Sequence, residues 1–246
     1  MNNSITSARS FIENSIAGDG LSYQDVMLEY PAVLSFRYLW RRIKEQTGLL
    51  EFSHRVVKDA YIHHDTLFIE SRISSPAMAI QAETLLALGV SKIAYIGIAG
   101  SISPELDIGD LVVSTGAINE TGTGVCYGHD FQSVIPADGR FAGQLNDRLR
   151  EQGLEPRLAV HWCTDAPYRE TRDKVREYRK RGAACVEMEG AGLFAVAREH
   201  GIPAAAAFVI SDQLQETGWV QGWEDPRFKQ TMAKLAGAMV HLSRDL

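Results

Sequence analysis

The chain has 246 residues, 45% hydrophobic and 23% charged, enough to bury a sizeable core as one α/β domain. Its 25 basic and 31 acidic side chains leave a formal charge of -6, which excludes the broad basic field that a nucleic-acid backbone requires. No apolar run approaches a membrane span, and the first seven residues lack both the basic and the apolar regions of a secretory signal, so a cytoplasmic protein is expected.

Residues 1–30 carry no strand pattern and are expected to form an N-terminal arm, either helical or an oligomer contact, ahead of a single domain over 31–246. Strands are predicted at Ala32–Phe36, Leu67–Ser71, Lys92–Ile96, Leu111–Ser114, Leu158–Trp162 and Ala205–Ile210. Between them, Pro76–Leu88 reads as a helix that opens on Ser75-Pro76 and closes at Gly89, with Ile80, Leu85, Leu86 and Leu88 on one side. Helical spacing also fits Arg140–Gln152, Glu170–Arg181, Glu189–Glu199 with Gly201 as its terminator, and Pro226–Leu242. Strands alternating with helices argue for a largely parallel or mixed sheet covered on both faces. The three cysteines, Cys126, Cys163 and Cys185, are widely spaced in mostly apolar surroundings and read as reduced core thiols.

In such sheets the ligand crevice lies beyond the carboxyl ends of the strands. One of those ends carries Gly97-Ile98-Ala99-Gly100, whose glycines permit close backbone approach. This segment lacks both the dinucleotide-binding glycine spacing and a phosphate-loop lysine, and the chain contains no Gly-x-Ser-x-Gly elbow. Carboxylates stand at two chain reversals, in Val186-Glu187-Met188-Glu189-Gly190 and in Ile210-Ser211-Asp212. Each is either a ligand-binding group or a cap for the helix or segment that follows. His63-His64 and Cys126 with His129 bring no further ligands at metal-site spacing, so no metal is expected.

The series Ile73–Ile80 with Glu83-Thr84-Leu85, Ile96–Gly100, Asp107–Val113, Val186–Glu189 and Ile210–Asp212 resembles, in order and spacing, the nucleoside phosphorylase and nucleosidase superfamily. That family includes purine nucleoside phosphorylase, uridine phosphorylase and methylthioadenosine/S-adenosylhomocysteine nucleosidase. The resemblance runs from about residue 66 to about residue 212. It implies a three-layer αβα sandwich around a mixed central sheet, cleavage of an N-glycosidic bond without a cofactor, and a homo-oligomer (dimer, trimer or hexamer). Inorganic phosphate would be co-substrate if the chain is a phosphorylase.

The resemblance also distributes roles. Glu187, Met188 and Glu189 would hold the ribose, with Glu189 accepting from the sugar hydroxyls. Asp212 would protonate or hydrogen-bond purine N7, favouring a purine or adenosyl compound, with Ser211 beside it. Tyr168 would stack on the base, while Arg169 and Glu170 either read the base edge or begin the following helix. Gly97, Ile98, Ala99, Gly100 and Glu120 would face the nucleophile, and Asn119–Gly124 would wall the site. Trp219 and Trp223 would form a lid or clamp neighbouring helices.

Two departures bear on the acceptor. Phosphorylases place an arginine and a serine or threonine where this chain has Tyr95 and Ile98, and neither side chain supplies a guanidinium's bidentate charge. Arg37, Arg41, Arg42 and Arg72 read as solvated surface charges. The residues therefore place hydrolysis ahead of phosphorolysis, with Glu189 or Glu120 deprotonating the water. Two further readings stand beside these: a non-catalytic nucleoside-binding protein, and a methyltransferase using Gly97–Gly100, which lacks the acidic ribose residue such a fold requires.

Overall fold

A computed structural model describes residues 5–244; Met1–Ser4 of the predicted arm and the last two residues lie outside the described residues. In chain order the elements are α1 Ala8–Ile16, β1 Ala32–Ser35, α2 Arg37–Lys44, β2 Leu50–Phe52, β3 Ala60–His63, β4 Thr66–Glu70, α3 Ser75–Ala87 and β5 Ile93–Ser101. There follow β6 Leu111–Glu120, α4 Gly122–Cys126, β7 Val134–Pro136, α5 Gly139–Glu151, β8 Pro156–Thr164, α6 Arg172–Lys180 and β9 Ala183–Glu187. The chain ends with α7 Gly190–His200, β10 Ala204–Gln215, β11 Gly218–Gln221 and α8 Pro226–Leu242.

One mixed sheet contains all eleven strands, in the order β11-β10-β6-β8-β9-β5-β1-β4-β3-β2, with β7 on β6. An additional parallel pairing of β10 with β5, from Ala204 opposite Ile93 to Gln213 opposite Ser101, closes β5, β9, β8, β6 and β10 into a ring. Helices cover the sheet in two groups: α3 packs on α1, α4 and α7, whereas α8 packs on α2 and α5. The expected αβα architecture around a mixed sheet is therefore present. The strands at its centre are apolar without alternation, as in Ala32–Leu34 and Ala204–Ile210, because both faces are covered.

The helix ends follow the sequence. Asp138, Thr171 and Asp225 accept backbone N–H groups at the starts of α5, α6 and α8, and Gly201 closes α7 in the left-handed conformation. The face of α3 differs from its pattern. Ile80 is exposed, and Met78, Ala79, Ala82 and Leu85 turn inward, because α3 lies against α7 where small residues allow close approach. Residues 8–16 form a helix whose Ile12 and Ile16 join the main core. Cys163 and Cys185 are buried free thiols as predicted, but Cys126 is exposed at the end of α4, where a short surface helix leaves it uncovered. Among the described residues no helix is long and apolar enough to cross a membrane.

The closest approach of α3 and α7 is at Gly192, where an added Cβ would stand 2.5 Å from the Ser75 carbonyl oxygen. Gly192→Ala is expected to cost roughly 1–3 kcal/mol through overpacking. That corresponds to a fall in Tm of about 2–4 °C per kcal/mol at this chain length. Gly143→Ala in α5, where nothing lies within 4 Å of the added methyl, is expected to be neutral or to gain up to about 1 kcal/mol. Thermal melts of the two variants check both.

Candidate active site

Ring closure brings the ends of β5, β9 and β10 together. Gly100 pairs with Val186 on one side and with Asp212 on the other, across a bulge between Ile210 and Asp212. The bulge re-aims Asp212, and Gly100 makes the space, since a Cβ there would lie 2.8 Å from Asp212 Oδ2. Gly97 does the same for the Tyr95 hydroxyl, which a Cβ would approach to 2.6 Å. The glycine segment is thus a strand rather than a loop, and its missing side chains admit functional groups from its neighbours.

These strand ends open into a cavity of about 960 Å³. Its walls include Ile98, Ala99 and Gly100 from β5, the Glu187–Glu189 segment, Ser211 and Asp212. Tyr168 stands fully exposed at the wall, and Trp219 and Trp223 complete it. Gly97, Glu120 and Arg169 are not on that wall. Glu120 instead accepts from Trp162 Nε1 at 2.8 Å and pairs with Lys174, so the predicted water-deprotonating role has no geometric basis. Arg169 ends a single turn at Pro167–Arg169 and points to solvent. The Asn119–Gly124 segment is also not part of the cavity wall: Asn119 Oδ1 accepts from Thr121 N and Oγ1, and Thr121 Oγ1 accepts from Gly124 N, which makes it the cap of α4.

The two glutamates of the Glu-Met-Glu segment divide the two roles left open by the sequence. Glu187 is the cap: its Oε2 accepts from Glu189 N and Gly190 N, both at 2.8 Å, at the start of α7. Glu189 makes no cap; its Oε1 accepts from Ser74 N at 2.7 Å and its Oε2 from the Tyr95 hydroxyl at 3.1 Å. Ser74 reaches that position with φ of 86°, a conformation rare for a residue with a side chain, and such outliers cluster at ligand sites. Burial, and next the Glu187 charge, push Glu189 up to about 8 against the pull of the Ser74 and Tyr95 hydrogen bonds.

Asp212 is held at both oxygens: Ser211 Oγ donates to Oδ1 at 2.6 Å and Trp219 Nε1 to Oδ2 at 2.7 Å. Trp219 therefore leans over the acid from β11, while Trp223 packs against Tyr38 and Phe228 as well as lining the cavity. Of the two residues expected either to read the base edge or to begin the next helix, Glu170 lines the same cavity, and burial, then the charges of Asp212 and Glu120, raise it to about 8. Its raised proton affinity is not marked by its sequence neighbourhood, because the charges that act on it, Asp212 of β10 and Glu120 of β6, are distant in the chain. Arg37, Arg41, Arg42 and Arg72 are not on the cavity wall.

His161, Cys163 and Glu187 bring one nitrogen, one sulfur and one oxygen within 4.8 Å of one another. Burial holds the Cys163 thiol well above its ordinary range, so it stays protonated, and Glu187 Oε2 already accepts from two backbone N–H groups. His161 Nε2 and Glu187 Oε1 lie 2.9 Å apart without a formed hydrogen bond, in a buried cluster at the cavity wall.

Residues 57–242 match the model of the Phosphorylase superfamily. The chain belongs to that superfamily. It is 29% identical to a guanosine phosphorylase of Halorubrum lacusprofundi over 164 residues, 65% of this chain and 66% of that protein. It is 26% identical to a DeoD-type purine nucleoside phosphorylase of Caldanaerobacter subterraneus over 65% of this chain and 70% of that protein. The chain thus spans about two thirds of the length of these curated relatives. The purine nucleoside phosphorylase of Toxoplasma gondii, solved in complex with immucillin-H, shares the fold with a TM-score of 0.73 at 21% identity. That alignment covers 92% of this chain and 95% of that one.

Glu170 and Glu189 bind protons more tightly folded than unfolded, so they stabilise the fold below the ordinary 4.5 and that stability is lost as pH rises through about 8. Glu170→Gln, which mimics the neutral form, is expected to match the parent's Tm near about pH 5 and to exceed it near about pH 9. Melting curves across that range test this; a parallel pair of profiles would show that Glu170 titrates normally.

Proposed function

We propose that this protein cleaves the N-glycosidic bond of a purine nucleoside, with inorganic phosphate as the attacking group. The observation that carries this reading is the common cavity onto which β9–α7 brings Met188 and Glu189 and β10 brings Ser211 and Asp212. Bond cleavage makes an oxocarbenium-like sugar and a departing base anion, and a site that stabilises both lowers the barrier. Glu189 hydrogen-bonds the sugar hydroxyls, Met188 packs against the ribose, and Asp212 hydrogen-bonds or protonates the base at N7. Tyr168 and Trp219, exposed at the cavity mouth, cover the base face. A homo-oligomer whose interface covers exposed Ile73, at the cavity wall, and Ile80 belongs to the same proposal.

Phosphate is favoured by the relatives, both named as phosphorylases. The sequence alone places hydrolysis first, and the relatives shift that balance. A second reading, hydrolysis, has one structural support. Tyr95 and Ile98 occupy the positions where the family's phosphate-holding arginine and hydroxyl are expected, and the Tyr95 hydroxyl is engaged with Glu189.

Release of free base from guanosine, inosine and adenosine, measured with and without phosphate, tests the proposal. Phosphate dependence with ribose 1-phosphate as product is expected; release of free ribose without phosphate would establish the hydrolytic reading, and no release from any purine nucleoside would end both. Asp212→Asn is expected to lower kcat by ~10²–10⁴-fold with little change in KM, the range typical of a lost general acid. Unchanged turnover in that variant would remove Asp212 from the chemistry.

A further inference from the structure

His161 of β8 is fully buried beneath the Glu187–Glu189 segment and has no part in the chemistry proposed above. Its Nδ1 lies 2.8 Å from Ser114 Oγ and its Nε2 lies 2.9 Å from Glu187 Oε1. Ser114 Oγ accepts from Gly116 N at 3.1 Å, which leaves its own hydrogen free for His161 Nδ1, a closer acceptor than the Gly116 carbonyl at 3.3 Å. The imidazole then carries its N–H on Nε2, beside Glu187 Oε1 but out of line with it, so that the two atoms interact through charge and proximity and not through a formed hydrogen bond. The ring is fixed in that pose by Phe208, 4.9 Å away between centroids, and by Gly190, where a Cβ would come within 2.5 Å of Nε2.

Glu187 and Glu189 are two largely buried carboxyls separated by one residue, and the charge of the first disfavours ionisation of the second. Their donors differ. Glu187 faces the N–H groups of Glu189 and Gly190, the N-terminal end of α7, and His161. Glu189 faces one backbone N–H and one phenol. The other titratable groups acting on the pair are the Cys163 thiol on β8 and the Cys185 thiol on β9, together with Tyr95 on β5, and burial raises all three.

We propose that His161 is a positioning residue that decides which of the two glutamates carries the proton: Glu187 stays ionised and Glu189 stays protonated. The proposal rests on the reading of Glu189 as the sugar-holding group, because a protonated Glu189 both donates to and accepts from the sugar hydroxyls. Two directions agree with the geometry. Burial pushes Glu187 up, but His161, the Cys163 thiol and the Glu189 N–H together hold it below its ordinary range, while Glu189 is raised. Without His161, Glu187 loses the polar neighbour that favours its ionised form and takes up the proton. Its charge no longer acts on Glu189, which then ionises more easily.

The test is carboxyl titration by ¹³C NMR in protein labelled at glutamate Cδ, with Glu189→Gln and Glu187→Gln assigning the two resonances. In His161→Phe the Glu189 titration is expected to fall by about one pH unit or more, and the Glu187 titration to rise. His161→Gln, whose amide N–H can reach the same oxygen, is expected to keep the parental order. Should His161→Phe fail to fold, Glu187→Gln removes the neighbouring charge directly and is expected to lower Glu189 alike. A Glu189 titration unmoved in folded His161→Phe or in Glu187→Gln overturns the proposal, as does an ionised Glu189 at neutral pH in the parent. The NMR readout needs no turnover, so a parent that releases no base refutes the proposed function and leaves this test intact.

Discussion

The parallel pairing of β10 with β5 is the constraint on which the rest depends. Without it the strands would form an open sheet with Asp212 and the Glu187–Glu189 segment on separate strand ends. With it, the register that sets Asp212 against Gly100, and Gly100 against Val186, brings both carboxylates to one cavity. Backbone hydrogen bonds within a buried sheet hold that register far more firmly than surface loops hold theirs. Asp212 therefore stands within a paired strand, and Glu189 two residues past the end of one.

Within that frame, two glutamates two residues apart do opposite work. Glu187 is spent on the helix that follows and on His161, so its charge is balanced by fixed donors. Glu189 is left at the cavity wall, held by Ser74 and Tyr95 and largely buried. Each needs the other. A helix capped by Glu189 itself would leave no carboxyl for a ligand, and a Glu189 without a capped neighbour would sit on an unsatisfied helix end.

Much of this was legible in the chain. Caps and terminators such as Asp138, Asp225 and Gly201 act locally, so α5, α7 and α8 fall within a residue or so of their predicted bounds. The carboxylates at the β9–α7 reversal pointed to the cavity because a strand end is a position that local pattern reveals. Asp212, expected at a reversal past a strand ending at Ile210, lies instead inside β10, which runs on to Gln215 because β11 and β5 pair with it there. What could not be read were properties created by distant chain. The assignment of the cap to Glu187 rather than Glu189 depends on where Ser74 comes to rest, and the proton affinity of Glu170 depends in part on the charge of Asp212 on β10. Strand β9 was missed because Ala183-Ala184-Cys185 has no strong β preference and is a strand only through its neighbours β5 and β8. The outward turn of Ile80 reflects α7 choosing the small-residue face of α3.

The hydrogen bond from Trp219 to Asp212 has a consequence for discrimination. Each carboxylate oxygen already accepts one hydrogen bond and keeps a further lone pair, so a base can reach Asp212 without evicting either donor. With one donor on each oxygen the carboxyl group is not free to rotate, and its open lone pairs point in fixed directions. Selection at this position is set as much by how Ser211 and Trp219 aim the carboxyl group as by what the base itself offers.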